Sequence, residues 1–334
     1  MPVRNEQPYL DAAVGSVLEQ SFADFEFLIH DDGSTDGTGA ILARRAAGDA
    51  RIRLFHSAEP LGVAIACNRM IAQARSSIIA RMDADDIAHP CWLERLHILL
   101  VEHPDLVLAG CLMSGMDATG RHVRDADHWR LVQPSVFPPF GHGSAIFRKT
   151  AFDRIGGYRR QCTYWEDFDL TLRLSEQGRI AVLPDALYRY RFAATSTRLV
   201  SNQREVERAV VTMLRCAAGY QATGGYEDVL AAGVSDAATD PHFPRALAAL
   251  SSNRIWNGIR PRQWRRTADA VFRRPTLQGS MLLVLATWAN VSPTSLRMVL
   301  GWLVAWRSRR AMAKWGNGPI IWNPGAAPDR LTPS

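Results

Sequence analysis

The sequence predicts an α/β protein in which a mostly parallel sheet is flanked by helices and followed by an α-helical C-terminal region. Three observations support this. Short apolar runs alternate with helical patterns, acidic clusters follow several runs, and we expect no further strands after about Leu199. Strict alternation of strand and helix is typical of βαβ units with parallel strands. With 334 residues and 47% apolar composition, the chain can bury a large core.

Runs of branched and aromatic residues mark the strands, and apolar spacings of three and four mark the helices between them. The predicted strands are Phe25–His30, Ile52–His56, Ile78–Met82 and Leu106–Cys111, with later ones at Ser144–Arg148 and Ile180–Leu183. The predicted helices are Tyr9–Gln20, Gly37–Ala47, Val63–Ala74 and Trp92–Glu102. A looser, proline-containing segment follows this alternating part.

Paired carboxylates follow the first predicted strand. Asp31 and Asp32 close this run and precede Gly33. The glycine and the capping residues after it explain a turn into the next helix, but they do not explain two adjacent carboxylates. Ligands of an open α/β sheet bind at the carboxyl ends of its strands, where a carboxylate can accept hydrogen bonds from a ribose. This position therefore indicates a nucleotide site.

A second acidic cluster, Asp83-Ala84-Asp85-Asp86, follows the predicted strand Ile78–Met82. Acidic residues are common in loops, so the pattern alone is a weak signal, and its place at a strand end strengthens it. Such carboxylates repel one another unless a cation neutralises them. Because carboxylate oxygens suit a divalent cation that holds phosphates, we predict a Mg²⁺ or Mn²⁺ site and an enzyme that handles a nucleotide diphosphate.

The third acidic cluster, Glu166, Asp167 and Asp169, opens a predicted helix that runs to about Gln177. A helix dipole favours acidic residues in the first turn, and this structural explanation is sufficient by itself. A second carboxylate site downstream of the sheet is also what an acceptor hydroxyl needs as a general base. Both interpretations stay open on these residues alone.

Composition separates the two halves of the chain. Five cysteines without metal spacing are typical of reduced core residues in a cytosolic protein. No signal peptide is predicted, because the chain turns polar directly after Val3.

Basic residues are concentrated near the C-terminus: between Arg254 and Lys314 there are twelve Arg or Lys and one acidic residue, Asp269. Such asymmetry indicates a polyanionic partner, either nucleic acid or an anionic membrane surface.

Tryptophans and arginines are interleaved in residues 200–334. The apolar stretches Met281–Val291 and Met298–Trp306 are each shorter than the roughly 20 residues of a membrane-spanning helix. The composition is typical of a helix in a membrane interface, and equally of a helical subdomain with solvated arginines. Because lipid or core packing explains the tryptophans, we expect no nucleic-acid partner.

Several motifs together resemble glycosyltransferase family 2. They are Pro2-Val3-Arg4-Asn5-Glu6, Ser16–Gln20 before Phe22, Asp31-Asp32-Gly33-Ser34-Thr35-Asp36, Gly62 through Asn68, Asp83-Ala84-Asp85-Asp86 and Trp165-Glu166-Asp167. They occur in the family's order over roughly residues 1–200. The resemblance implies a GT-A type (Rossmann-like) domain at 1–199, a nucleotide-sugar donor with a UDP-sugar expected first, and inversion at the anomeric carbon.

The resemblance also assigns roles to individual residues. It places the donor nucleotide near Pro2, Asn5, Glu6, Asp32 and Asp83. Asp85 would bind the metal. Asp167 would be the base that takes the proton of the acceptor hydroxyl, with Glu166 beside it. His142 and Trp165 would lie on the acceptor side.

Two features depart from the family pattern. Only Met1 precedes Pro2 where members have a full strand, so we expect the true start to lie upstream and the base pocket to be loosened. After the segment that matches Tyr188-Arg189-Tyr190-Arg191, many members carry a His that holds metal or diphosphate, and this chain has Phe192-Ala193-Ala194 there. Here no His follows, so Arg189 or Arg191 would neutralise phosphate instead. The Gln-x-x-Arg-Trp pattern of processive synthases is also missing, which favours addition of a single sugar.

The leading hypothesis is an inverting, metal-dependent glycosyltransferase at the cytoplasmic face of the membrane. It would extend a glycan or lipid-linked acceptor in cell-surface polysaccharide synthesis, and its basic C-terminal region would lie on anionic lipid. A sugar-nucleotide pyrophosphorylase would need a glycine-rich phosphate loop, and Pro2–Pro8 contains no glycine. A degenerate, non-catalytic nucleotide-binding or scaffold protein is the other alternative, motivated by the short first strand and the absent His.

Overall fold

Two sheets and six helices form the part of the chain that the computed structural model describes, namely residues 1–126, 138–160, 162, 165–192, 318–323 and 329–331. The strands are β1 (Pro2–Val3), β2 (Phe27–Asp32), β3 (Ile52–Ser57), β4 (Ile78–Ala80), β5 (Ile87–Ala88), β6 (Leu106–Asp117), β7 (His122–Arg124), β8 (Ala145–Arg148), β9 (Arg179–Phe192), β10 (Ile320–Trp322) and β11 (Asp329–Arg330). The helices are α1 (Leu10–Leu18), α2 (Thr38–Gly48), α3 (Val63–Ala72), α4 (Trp92–Glu102), α5 (Lys149–Arg154) and α6 (Glu166–Ser175).

The first sheet is parallel and has the order β1-β2-β3. Pro2 lies opposite His30, and Phe27 lies opposite Ile52. Helices α1 and α2 connect these strands, as the alternation of apolar runs and helical patterns predicts. The carboxyl end of β2 therefore carries Asp31 and Asp32, at the edge where a parallel sheet receives its ligand.

The second sheet is mixed and has the order β11-β10-β9-β6-β8-β4, with β5 on β9 and β7 on β6. The long strands β6 and β9 are parallel, whereas β8 runs antiparallel to both β4 and β6. The predicted α/β class is confirmed. The parallel arrangement holds for β1 to β3 and for β6 with β9, and the strands around β8 depart from it.

The prediction of no strands after Leu199 is wrong, because the short strand β11 forms at Asp329–Arg330 and a further strand forms at Ile320–Trp322. This segment forms β10, which pairs antiparallel with β9, and its three side chains are buried. Three apolar residues are too few to show a period, so the sequence pattern gave no signal for this strand. The segment is extended because it pairs with β9 and buries its side chains there, and not because its own sequence alternates.

A buried aromatic pair supports the loop between β4 and β5. Trp92 opens α4, donates its indole N–H to the Ser144 carbonyl at 3.3 Å, and packs its ring 5.9 Å from that of Tyr188. Both side chains are almost fully buried, and burial of such a side chain contributes roughly 1.5–3 kcal/mol. The Tyr188 hydroxyl accepts a hydrogen bond from Asp83 N at 3.1 Å, which connects this core to the second acidic cluster.

Among the helices of the described residues, none combines the length and the apolar character needed to cross a bilayer. The Trp- and Arg-rich segments predicted to lie on a membrane or to pack as a subdomain are outside the described residues. The looser segment around Pro134 is outside them as well.

Candidate active site

The segment after β1 is attached to the loop after β2. Asn5 has a φ of 55°, which is unusual for a residue other than glycine. Its amide oxygen accepts a hydrogen bond from Thr35 N at 2.8 Å, and its own N–H donates to Ser34 Oγ at 3.0 Å. Two loops that the sequence places about 30 residues apart thus form one edge of the site. The side-chain oxygen of Asn5 is used for this connection.

Asp32 holds the loop that precedes α3. Its carboxylate accepts hydrogen bonds from Ser57 Oγ at 3.0 Å, Leu61 N at 2.7 Å and Gly62 N at 2.9 Å. Gly62 has a φ of 85°, which a side chain would disfavour. The contact of Asp32 with the donor stays a prediction. The hydrogen bonds that the Asp32 carboxylate accepts in the structure hold the loop before α3.

Asp83 is fixed from three sides. Arg81, which is only 8% exposed, forms an ion pair with its carboxylate. Its backbone N–H donates to Tyr188, as described above. Gly143 packs against it so closely that a Cβ there would lie 2.7 Å from Asp83 Oδ2. The sequence analysis identified Asp83 but missed Arg81, whose only signal was its place two residues before the acidic motif.

Arg191 connects the second acidic cluster to β9. Its backbone N–H donates to Asp86 Oδ1 at 2.7 Å, and its Nε donates to the Asp85 carbonyl at 2.6 Å. Its guanidinium also lies 4.6 Å from the centre of the Tyr9 ring. Arg189 donates to the Gly120 carbonyl at 2.6 Å. Both predicted phosphate ligands thus bind backbone carbonyls here, and only Arg191 is bound to the Asp85 segment.

Electrostatic effects connect the carboxylates of separate chain segments. Burial, then Asp85 and Asp83, raises the pKa of Glu6 to about 8. Burial and then Asp83 raises the pKa of Asp85 to about 6. Burial, followed by Asp167 and more weakly by Asp83, raises the pKa of Glu166 to about 7. We call Glu6, Asp83, Asp85, Glu166 and Asp167 the acidic cluster, because the pKa values of Glu6, Asp85 and Glu166 are raised by burial and by other members.

The acidic cluster has the chemistry of a cation site. Its carboxylates are the oxygen donors that Mg²⁺ and Mn²⁺ prefer, and the raised pKa of Asp85 indicates negative charge without full compensation. Within the described ranges, no three His, Cys, Asp or Glu side chains are grouped to hold a metal by themselves. Mg²⁺ in nucleotide enzymes is commonly bound by one or two carboxylates plus phosphate and water oxygens. The residues present fit that kind of site.

Helix α6 carries the predicted base in its first turn. Asp167 Oδ1 accepts a hydrogen bond from Phe168 N at 2.8 Å. Glu166 lies beside it, and the favourable charge of Arg81 opposes the raised pKa of this carboxyl. Trp165, which directly precedes the helix, is only 4% exposed. Little of its ring is therefore available to a sugar, which weakens its predicted place on the acceptor side.

Asp169 belongs to the core. It is 0% exposed and pairs with Arg173 on the next turn of α6, with Oδ2 2.9 Å from the arginine Nε. Arg173 also donates to the carbonyls of Ile155 and Gly157, at 2.9 Å and 2.8 Å. For Asp169, the last residue of the third acidic cluster, a structural role is therefore the correct interpretation.

His142 is hydrogen-bonded to a tyrosine that the sequence analysis missed. Its Nε2 lies 2.5 Å from the Tyr158 hydroxyl, and their ring centroids are 5.4 Å apart. Glu166 and Asp167 both raise the pKa of Tyr158, after burial, which is the largest cause. Gly156 and Gly157, with φ of 75° and 72°, form the turn before Tyr158. This glycine pair was the available sequence signal.

The burial of Glu6 predicts a specific pH dependence. Because its folded pKa of about 8 lies above the ordinary value of 4.5, wild-type protein loses stability as pH rises through this range. Glu6→Gln cannot ionise, so we expect its free energy of unfolding to gain on that of wild type between about pH 5 and about pH 8.5. Urea titrations of the metal-free proteins at both pH values measure this difference. A difference independent of pH would contradict the prediction.

Comparison with known proteins identifies the family. The family model of Glycosyl transferase family 2 matches residues 1–158. EpsE of Bacillus subtilis strain 168, which is named as a glycosyltransferase, is 32% identical over 224 residues, covering 65% of this chain and 80% of EpsE. The O-antigen biosynthesis glycosyltransferase WbnJ of Escherichia coli is 26% identical over 208 residues, covering 59% of this chain and 80% of WbnJ.

Solved structures share the fold. The mannosyltransferase PcManGT of Pyrobaculum calidifontis, in complex with GDP-Man and Mn²⁺, has a TM-score of 0.55 at 18% identity and aligns over 94% of this chain and 84% of its own. S. aureus TarS 1-349 in complex with UDP-GlcNAc has a TM-score of 0.55 at 15% identity, over 100% of this chain and 98% of its own. The fold is therefore that of a GT-A type glycosyltransferase. The chain belongs to glycosyltransferase family 2.

Proposed function

We propose that this protein transfers one sugar from a nucleotide-diphosphate sugar to a hydroxyl of a glycan or lipid-linked acceptor, with inversion at the anomeric carbon. The observation that carries the proposal is the acidic cluster. Besides burial, Asp83 after β4 raises the pKa of Glu6 after β1, of Asp85 in the same loop and of Glu166 at the start of α6, although these segments are far apart in sequence. Carboxylates gathered in this way suit a cation, a diphosphate and a general base.

In this mechanism Asp167 accepts the proton of the acceptor hydroxyl. The acceptor oxygen then forms a bond to the anomeric carbon while the bond from that carbon to the diphosphate oxygen breaks. A single displacement of this kind inverts the carbon. Glu166 lies beside Asp167 at the start of α6 and adds a second carboxyl group to this end of the site.

Asp85 is the proposed protein ligand of a Mg²⁺ or Mn²⁺ ion, which would stabilise the charge of the leaving diphosphate. Asp83, Glu6, Asn5, Pro2 and Asp32 are proposed to surround the base and ribose. The complex of PcManGT with Mn²⁺ supports a divalent metal. The complex of TarS with UDP-GlcNAc supports a UDP-sugar as the first donor to test.

The proposed acceptor and location rest on the relatives and on composition. WbnJ is named for O-antigen biosynthesis, which supports an acceptor in cell-surface polysaccharide synthesis. The twelve basic residues between Arg254 and Lys314 support binding to the cytoplasmic face of an anionic membrane. Sedimentation with phosphatidylserine vesicles, compared with phosphatidylcholine vesicles, tests this part. Equal binding to both would contradict it.

A donor screen tests the activity. Purified full-length protein is incubated with Mn²⁺ and, separately, UDP-glucose, UDP-galactose, UDP-GlcNAc or GDP-mannose, and the released nucleotide diphosphate is measured. We expect one donor to be turned over well above the others. The comparisons do not favour the non-catalytic scaffold, which predicts no turnover of any donor.

Asp85→Asn tests the metal site within the same screen. Removing one carboxylate charge from the ligand is expected to lower turnover by roughly 100-fold or more and to weaken Mn²⁺-dependent binding of UDP in calorimetry. Asp86→Asn is a poor control, because Asp86 is fully buried and accepts a bond from Arg191. Asp185→Asn is a better control, since this exposed residue pairs with Arg95 at the surface. Equal effects of the two changes would contradict a metal role for Asp85.

A further inference from the structure

His142 lies between the two ends of the acidic cluster. It opens the short 3-10 turn His142–Ser144 before β8, and the next residue, Gly143, packs against Asp83. On its other side, His142 contacts the hydroxyl of Tyr158. Besides burial, the charges of Glu166 and Asp167 raise the pKa of this hydroxyl. A sugar located between the proposed diphosphate site and the proposed base would therefore lie beside the imidazole of His142.

The two ring nitrogens of His142 have different surroundings. Nε2 is 2.5 Å from the Tyr158 hydroxyl. Nδ1 has no hydrogen-bond partner in the part of the chain that the structure describes. The side chain is partly exposed. One nitrogen is thus bound to protein and the other is available to a ligand.

We propose that His142 binds a sugar oxygen through its Nδ1–H, and that Tyr158 is a positioning residue that fixes the imidazole tautomer by donating its hydroxyl hydrogen to Nε2. This inference rests on the proposed function and specifies one contact of that site. A neutral imidazole that accepts at Nε2 carries its hydrogen on Nδ1. Partial burial of the side chain, with a smaller effect of Arg81, lowers the pKa of His142 well below its ordinary value, which favours the neutral ring.

The backbone of Tyr158 is held on both sides by side chains of two helices. The Asn68 side chain on α3 donates to the Tyr158 carbonyl at 2.8 Å and accepts from Tyr158 N at 2.9 Å. Arg173 on α6 holds the Gly157 carbonyl. A Cβ on Gly157 would lie 2.7 Å from the Asn68 amide oxygen, so only glycine fits there. Burial raises the pKa of Tyr158 well above its ordinary value, so its hydroxyl keeps the hydrogen that it donates.

The ligand is a hydroxyl or glycosidic oxygen of a sugar, which accepts a hydrogen bond from a neutral donor. Two sources are possible for this chemistry, the transferred sugar of the donor and the acceptor sugar. The same variants distinguish them, because a donor contact changes the KM for the nucleotide sugar, whereas an acceptor contact changes transfer and leaves donor hydrolysis alone.

The tautomer is tested directly by ¹⁵N NMR of histidine-labelled full-length protein, with the His142 signal assigned by its loss in His142→Asn. We expect the Nδ1–H tautomer in the wild type and a mixture of both tautomers in Tyr158→Phe, which keeps the ring and removes only the hydroxyl. An Nε2–H tautomer in the wild type would overturn the proposal. This measurement needs no substrate, so it is informative even if the donor screen fails.

The contact itself is tested with a matched pair of substitutions. In His142→Asn the side-chain amide lies near the Nδ1 position, whereas in His142→Gln it lies near the Nε2 position. With the donor that is turned over best among UDP-glucose, UDP-galactose, UDP-GlcNAc and GDP-mannose, we expect His142→Gln and Tyr158→Phe to lose roughly 3- to 10-fold in kcat/KM, the size of one neutral hydrogen bond. We expect His142→Asn to stay within roughly 3-fold of the wild type. Thermal unfolding checks that all variants fold.

The outcomes separate this inference from the proposed function. Unchanged affinity for UDP with a raised KM for the sugar nucleotide supports a contact with the transferred sugar. Unchanged donor hydrolysis with slower transfer to an alkyl glycoside supports a contact with the acceptor. Wild-type activity with no difference between His142→Asn and His142→Gln overturns the inference. Absence of wild-type turnover with every donor counts against the proposed function instead.

Discussion

Asp167→Asn is expected to abolish sugar transfer and to leave donor binding nearly unchanged. General-base catalysis contributes roughly 10²- to 10⁴-fold, and an amide cannot accept the proton of the acceptor hydroxyl. The structure indicates that the fold tolerates this change, because the amide oxygen can still accept the hydrogen bond that Phe168 N donates to Asp167 Oδ1 at 2.8 Å. Steady-state transfer assays measure the loss in kcat, and calorimetry with UDP and Mn²⁺ measures donor binding.

Glu166→Gln is the matched control for this prediction. It removes the neighbouring charge from the same helical turn but leaves the proposed base in place. We expect a smaller loss, and an altered pH dependence of kcat because the pKa of Glu166 is raised to about 7. A parallel loss of donor affinity and turnover in Asp167→Asn would show that Asp167 supports the nucleotide site and is not the base.

Local sequence patterns predicted most of the elements that surround the site. Helix α4 has the predicted bounds Trp92–Glu102, because its apolar spacing and its burial agree. The strands that precede Asp32 and Asp83 were also predicted, since apolar runs followed by acidic residues are visible without tertiary information. Their ends differ from the prediction, because β2 continues to Asp32 and β4 already ends at Ala80. The family is confirmed by the comparisons, and it had been identified from these motifs together.

Elements that depend on tertiary pairing were predicted less well. The strand expected at Ile180–Leu183 extends through Phe192 as β9, although its second half alternates tyrosine and arginine. Pairing with β6 keeps this half extended, from Leu112 opposite Ala186 to Asp117 opposite Phe192. Sequence periodicity contains no information about such a partner strand, which is also why β10 was missed.

The roles of individual site residues also depend on tertiary contacts that local sequence does not contain. Residue type and strand position identified the acidic cluster, but they could not distinguish a catalytic carboxylate from a structural one. Asp167 and Asp169 are two residues apart in α6, and only the structure shows that Asp169 is buried against Arg173. The Tyr158 contact with His142 was equally invisible, because a hydrogen bond between side chains 16 residues apart leaves no pattern.

Arg173→Met is expected to destabilise the protein strongly. The change removes the closer arginine of the fully buried Asp169 carboxylate, together with the hydrogen bonds to the Ile155 and Gly157 carbonyls. Arg159 Nη1 lies 3.7 Å from Asp169 Oδ1 and still balances part of the charge. Breaking a buried ion pair by removing one partner typically costs about 3–5 kcal/mol, because the remaining charge is left in a medium of low polarity. Urea unfolding measures the lost free energy. Since the same arginine holds the turn before Tyr158, transfer by the folded fraction is expected to fall as well.

The double variant Asp169→Leu with Arg173→Met separates the contribution of the ion pair from that of the Arg173 hydrogen bonds to the turn before Tyr158. An apolar pair of similar volume can replace a buried ion pair at little cost, so part of the stability lost in Arg173→Met is expected to return. The hydrogen bonds to Ile155 and Gly157 do not return, so the turn before Tyr158 stays less well held and transfer stays slow. If Arg173→Met alone costs less than about 1 kcal/mol, the pair is not the main anchor of that turn. Recovered stability without recovered transfer would instead connect the Arg173 hydrogen bonds to the Ile155 and Gly157 carbonyls, through Tyr158, to the proposed catalytic site.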